Sequence, residues 1–182
     1  MGENGYCSDA RRDDVKRCKV LMALVVTVLL MPMSPVRAEE KATPAEVVGK
    51  VREAAVFLQG AGETGLLDFA APEGRWVWKD TYVWVLKCSN MTDAAHPINP
   101  KLVGRNLAGL KDVAGNYLFI QMCEASKKAK GGWVEYWWPK VGEKNPSRKV
   151  TFILQVPDSP YQVAAGIYDD TISLEDLNRM TE

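Results

Sequence analysis

Apolar residues first fall into register at Val47, Val48, Val51, Ala54, Ala55 and Leu58, the spacing of one face of a helix. Thr43-Pro-Ala-Glu46 predicts where that helix starts. The threonine can cap, the proline suits the first helical position, and Glu46 closes a capping box. Gly60 and Gly62 predict its end, and Leu66-Leu-Asp-Phe-Ala70 a shorter second helix before the turn Pro72-Glu-Gly74.

The period then changes to two. Trp76, Trp78, Tyr82, Trp84 and Leu86 share one parity, while Val77, Val83 and Val85 share the other. Both faces are apolar over Tyr82–Leu86, which predicts a central strand covered on two sides. Ser89-Asn-Met-Thr-Asp93 is expected as a turn leading to a short strand that ends at His96-Pro97. Pro97 and Pro100 forbid regular structure, so Ile98–Gly104 reads as an ordered loop. Asn116–Lys127 is expected as a helix, with Asp112–Gly115 as its lead-in, and Gly131-Gly132 releases the chain into a strand over Trp133–Trp138. Lys140–Arg148 is a hairpin loop, Lys149–Gln155 the returning strand, Tyr161–Tyr168 the last strand, and Ser173 caps a short closing helix. A helix, two strands, a helix and three hairpin-linked strands make an α+β pattern with an antiparallel sheet.

Composition adds two constraints. The chain has 182 residues, 47% of them apolar and 25% charged, with zero formal net charge, so one globular domain and a leader fit and a nucleic-acid partner does not. The first 38 residues hold six basic and four acidic side chains, which leaves the remainder mildly acidic. Basic residues up to Lys19 precede the apolar run Val20–Met31, too short to cross a bilayer, and Val36-Arg-Ala38 fits a cleavage site. We therefore expect residues 1–38 to be a signal peptide, residues 39–182 to be a single domain and the product to be periplasmic. The alternative is an uncleaved signal that anchors the chain to the inner membrane. Removing the leader leaves Cys88 and Cys123, an even pair that in an oxidising compartment predicts a disulfide. No cysteine spacing resembles a zinc or haem motif, and no metal or cofactor is expected.

Three phrases carry a family resemblance. They are Arg75-Trp-Val-Trp-Lys-Asp-Thr-Tyr-Val-Trp-Val-Leu86, Ala95-His-Pro-Ile-Asn-Pro-Lys-Leu-Val-Gly104 and Gly132-Trp-Val-Glu-Tyr-Trp-Trp-Pro139, with Gly166-Ile-Tyr168 closing the block. Together they resemble the single Cache domain, second type, the extracytoplasmic sensing module of bacterial chemoreceptors and sensor kinases. The resemblance implies a PAS-like five-stranded antiparallel sheet with a long N-terminal helix and a covering helix. It also implies a small-molecule site between the sheet and its covering loops. With only a short segment after Tyr168, the chain is expected to be a free-standing sensor that signals through a partner, such as a membrane receptor or transporter.

The candidate ligand residues are Trp78, Tyr82, His96, Tyr136, Trp138 and Lys149. Trp78 and Trp138 share strand parity with Tyr82 and Tyr136. The two tyrosine hydroxyls need partners when buried, which a ligand carboxylate or a backbone carbonyl can supply. His96 ends a strand before a proline and reads equally as a loop clamp or a ligand contact. Lys149 opens a strand after a solvated loop, as a surface charge or as the cation for an anionic metabolite. The leading expectation is a periplasmic organic-acid binding module in signal transduction, with no chemistry of its own. A glycosidase would need a facing pair of carboxylates, and Glu135 has no evident mate. The alternatives are an exported carbohydrate-binding protein using tryptophans as stacking platforms, or a structural partner subunit without a ligand.

Overall fold

The computed structural model describes residues 40–181. The expected signal peptide and its cleavage site lie outside them. Helix α1 (Pro44–Ala61) starts with the expected capping box at Thr43 and Glu46. Its buried stripe is Val47, Val48, Val51, Ala54, Ala55 and Leu58, as the period indicated. Each buried valine or leucine there contributes about 1.5–3 kcal/mol. A 3₁₀ turn (Gly62–Gly65) joins it to α2 (Leu66–Ala70).

The sheet holds six strands rather than five. They are β1 (Val77–Trp78), β2 (Thr81–Lys87), β3 (Thr92–Ala95), β4 (Gly132–Pro139), β5 (Pro146–Gln155) and β6 (Gln162–Tyr168). Their order is β1-β2-β6-β5-β4, with β3 also paired to β2, and all pairings are antiparallel. Between β2 and β3 the register shifts at Val85/Leu86. Helix α3 (Leu118–Ala125) is shorter than the expected Asn116–Lys127, and α4 (Leu174–Arg179) is capped by Ser173 as expected. A single 3₁₀ turn (Pro100–Leu102) interrupts the loop after His96.

The sheet separates two apolar layers. On one face α1 packs with Phe69, Trp76, Val83, Val85, Phe152, Val163 and Leu177. On the other, α3 and the loop after β3 cover Tyr82, Trp84, Leu86, Tyr136, Ile153 and Ala164. Cys88 and Cys123 form a disulfide with Cα atoms 5.6 Å apart, tying the end of β2 to α3. Among the described residues no helix is long and apolar enough to cross a membrane.

Two corrections to the sequence reading matter for the site. Trp76 and Trp78 do not continue the face of Tyr82. A tight turn at Lys79-Asp80, with Lys79 at φ 48°, makes β1 and β2 a hairpin in which Val77 pairs with Tyr82 and Trp78 with Thr81. Directly paired residues of an antiparallel ladder share a face, so Trp78 lies on the α1 side and packs against that core. The turn went unread because a lysine occupies a left-handed conformation usually signalled by glycine or asparagine. The second correction concerns Thr92 and Asp93, which belong to β3 and not to the preceding turn.

Candidate functional site

Lys149 sits inside β5, opposite Tyr136 of β4 and Tyr168 of β6. It is neither at a strand edge nor at the surface. The side chain is 2% exposed, which corrects the surface-charge reading. The strand begins at Pro146, three residues earlier than the loop composition suggested, so the lysine falls in the interior of the ladder.

Its ammonium is boxed by aromatic rings. Nζ lies 4.7 Å from the centroid of Tyr82, 5.1 Å from Trp84 and 5.1 Å from Tyr168. It donates a long hydrogen bond of 3.4 Å to the Tyr82 hydroxyl. Ring faces attract a cation, yet they carry no counter-charge. Among the described residues no ion pair includes Lys149. Burial pulls its pKa down to about 7, with the charge of Asp80 opposing the drop.

His96 is the loop clamp that the sequence allowed. Its Nδ1 accepts the backbone N–H groups of Ile98 (3.2 Å) and Asn99 (2.9 Å), clamping the covering loop. Burial and the neighbouring Lys149 charge push its pKa down to about 3, so the ring is neutral. With Nδ1 committed as an acceptor, the ring proton resides on Nε2, leaving that edge as a donor. The ring lies beside Tyr82 and Trp84, with centroids 5.0 and 6.0 Å apart.

Tyr136 is buried, and its hydroxyl pairs with the Thr151 hydroxyl at 3.0 Å, a side-chain partner that the sequence reading does not name beside a ligand carboxylate or a backbone carbonyl. Burial raises the pKa of Tyr82, Tyr136 and Tyr168 alike, so all three stay protonated donors at neutral pH. Trp138 closes the outer end, its ring edge-on to Tyr136 with centroids 6.4 Å apart.

Tyr82, His96, Tyr136, Trp138 and Lys149 thus line one small cavity, together with Trp84 and Asp93. Leu102, Leu118, Phe119 and Met122 roof it from the loop and α3. The free space there is about 20 Å³, roughly a water molecule. A larger cleft of about 390 Å³ opens beside it, sharing Tyr82 and bounded by Val77, Ile98, Lys140 and Tyr168. Trp78 lines neither space.

Sequence reasoning missed Trp84, Tyr168 and Asp93. Trp84 and Tyr168 could have been found, since each lies at even spacing from a chosen tyrosine or ends a strand paired with Lys149. Asp93 carried no such signal while it was assigned to a turn. Among the described residues no cluster of histidine, cysteine and carboxylate side chains is placed to hold a metal ion. The site therefore offers converging donors and one buried cation, which is chemistry for holding an anion.

The comparisons with known proteins fit this architecture. Over 96 residues the chain is 29% identical to the methyl-accepting chemotaxis protein McpP of Pseudomonas putida, covering 53% of this chain but 18% of that receptor's length. A Cache chemosensory domain solved for its recognition of carboxylic acids superposes with a TM-score of 0.54 at 22% identity, covering 88% of this chain and 99% of that one. The periplasmic sensor domain of a chemotaxis protein gives 0.54 at 24% identity, covering 88% and 100%. A methyl-accepting chemotaxis protein of Vibrio parahaemolyticus gives 0.58 at 18% identity, covering 87% and 98%. At these identities the superpositions establish the fold. The sequence model of the Cache domain matches residues 76–173, more than half of the chain, and the protein belongs to the Cache domain family.

Proposed function

We propose that this Cache domain is a periplasmic sensing module that binds a small organic carboxylate in the cavity at Lys149 and signals through a partner protein. The observation that carries the reading is a fully buried lysine that forms no ion pair among the described residues. A buried charge left unpaired is costly. A ligand carboxylate supplies the missing charge, and the Tyr82 hydroxyl and the His96 Nε2–H are the neutral donors that orient it. The solved relative described as recognising carboxylic acids supports the same ligand class, and the chemotaxis receptors among the relatives support the signalling role.

The free volume of about 20 Å³ is too small for a carboxylate, so binding requires the roof to part from the sheet. The adjoining cleft at Tyr82 and Ile98 is the route in. Signal transfer follows from the same movement, because the disulfide ties α3, which forms the roof, to β2. A membrane receptor or transporter is the kind of partner that reads it.

The carbohydrate-platform reading has less support. Trp76, Trp84 and Trp133 are buried and take part in the two cores, and only Trp137 is well exposed. The proposed export rests on the leader, residues 1–38. Fractionation with intact-mass analysis tests it, the expected product beginning near Glu39 in the periplasm.

The ligand class is tested by thermal denaturation with small carboxylates and their neutral amide isosteres. A ligand at a hundredfold excess over Kd stabilises by about 2.7 kcal/mol, which raises Tm by several degrees. Propionate and its relatives should do so and propionamide should not. Equal shifts with acid and amide, or none with any carboxylate, would reject the anion-binding reading.

A further inference from the structure

The cavity contains one polar group that a simple carboxylate leaves unexplained. Asp93 is 1% exposed and lines the same space as Lys149, His96 and Tyr136. Neither of its carboxyl oxygens has a hydrogen-bond partner among the described residues. Other buried polar side chains around the cavity do: Tyr136 has Thr151, Lys149 has Tyr82, and His96 has two backbone amides. No ion pair joins Asp93 to Lys149 among the described residues.

The backbone places Asp93 there by a specific device. Ala95 pairs with Val85 on the α1 face of the sheet. In a regular strand Asp93, two residues away, would point to that same face. The register shift at Val85/Leu86 pairs Asp93 with Leu86 instead, on the opposite, cavity face. A bulge re-aims side chains in this way. The parallel bridge from Asp93 to Val103 and the bond from Gly104 N–H to the Asp93 carbonyl (2.9 Å) hold the position.

Burial of an unsatisfied carboxyl costs the fold stability. Lys149, Tyr82 and His96 supply donors, whereas Asp93 supplies acceptors: two if ionised, and still one carbonyl oxygen if protonated. Resting on the carboxylate reading above, we propose that Asp93 recognises a hydrogen-bond donor carried by the ligand next to its carboxylate, so that the site takes α-hydroxy or α-amino acids in preference to plain carboxylic acids. The acceptor and the cation on one small cavity match a donor and an anion on one small ligand.

Three-carbon acids isolate the donor. Propionate, lactate and alanine differ only in hydrogen, hydroxyl or ammonium on the central carbon. Calorimetric titration of each into the purified protein, wild type, Asp93→Asn and Asp93→Val, decides the matter. The wild type should bind alanine about ten-fold or more tighter than propionate, the range for a hydrogen bond to a charged group, and lactate about two-fold to ten-fold tighter, the range for a neutral one. Asp93→Val should bind all three within about two-fold of one another. Asp93→Asn, which keeps a neutral acceptor, should retain a preference for lactate and lose one for alanine. The wild-type ranking alone is decisive if the valine variant does not fold.

Propionate binding as tightly as both others, or a preference that survives Asp93→Val, overturns the role of Asp93 while leaving the anion site at Lys149 intact. Failure of all three acids to bind removes the carboxylate reading and this inference with it.

Discussion

Gly166 lies directly beneath the side chain of Lys149. A β-carbon built on Gly166 would sit 3.0 Å from Cε of the lysine, 2.7 Å from the Val150 carbonyl oxygen and in collision with Oγ1 of Thr151. Gly166 pairs with Thr151, and on the next strand it stands between Ala164 and Tyr168 on the cavity face. Its missing side chain is therefore the space in which the lysine stem and the Thr151 hydroxyl meet the sheet.

Gly166→Ala should accordingly damage stability and site together. Overpacking of this kind costs about 1–3 kcal/mol, which thermal denaturation will read as a drop in Tm. The same substitution should weaken carboxylate binding, because Lys149 and the Thr151–Tyr136 pair must both shift. An alanine variant with wild-type Tm would show that the strands yield without disturbing the lysine.

The buried carboxyl of Asp93 sets a pH dependence with a defined sign. Burial raises its pKa to about 8 from an ordinary value of 3.8. The folded state then holds a proton that the unfolded state has released between those values, so this group lowers unfolding free energy as pH rises from about 4 to 8. Asp93→Val removes the effect. Its stability relative to wild type should increase steadily over that window and level off above it, with contributions from His96 and Lys149 common to both proteins. Chemical denaturation at pH 5 and pH 8.5 measures it, and a difference independent of pH would contradict a buried, proton-holding Asp93.

The disulfide gives a third test. Closing a loop of 35 residues stabilises by about 3–4 kcal/mol on the chain-entropy account. Replacing Cys88 and Cys123 together by alanine should lower stability by about that amount, and more loss should appear in the protection of α3 amides than in those of β5 and β6. The native protein should resist alkylation at both sulfurs until it is reduced. Two freely alkylated thiols in unreduced, exported protein would rule the bridge out.

How far the sequence revealed this protein depends on which physical signal each part carries. Helix α1 was readable to its cap, because proline, threonine and glutamate at fixed offsets have one shared explanation. Strand β2 was readable as central, since a run apolar on both parities must be covered twice. Its neighbour β1 was not, because the Lys79 turn reverses the face without a glycine to mark it. Trp78 was consequently placed on the wrong side of the sheet. In the site, Tyr82, Tyr136, Trp138 and His96 could be grouped from strand parity and a proline-bounded loop. The burial of Lys149 could not, because a lysine next to a polar loop looks the same in sequence whether its strand is at an edge or inside. Asp93 depends on a bulge, which sequence periodicity does not encode.

On the reading proposed above, the charge of Lys149 holds a ligand carboxylate. Isothermal titration calorimetry tests it most directly, using the carboxylate that gives the largest thermal shift, on wild type and Lys149→Met between pH 6 and pH 9. Burial sets the free lysine pKa at about 7, and a bound anion raises it, so wild-type affinity should be greatest below pH 7 and fall about ten-fold per unit above it. Lys149→Met should bind about thirty-fold or more weaker at pH 6, since a charged partner is lost in a buried site, and its affinity should lose the fall that starts near pH 7, keeping only the weakening that follows ionisation of Asp93 near pH 8. If Lys149→Met binds as tightly as wild type, or if wild-type affinity is flat from pH 6 to pH 9, the lysine does not carry the ligand and the account is wrong.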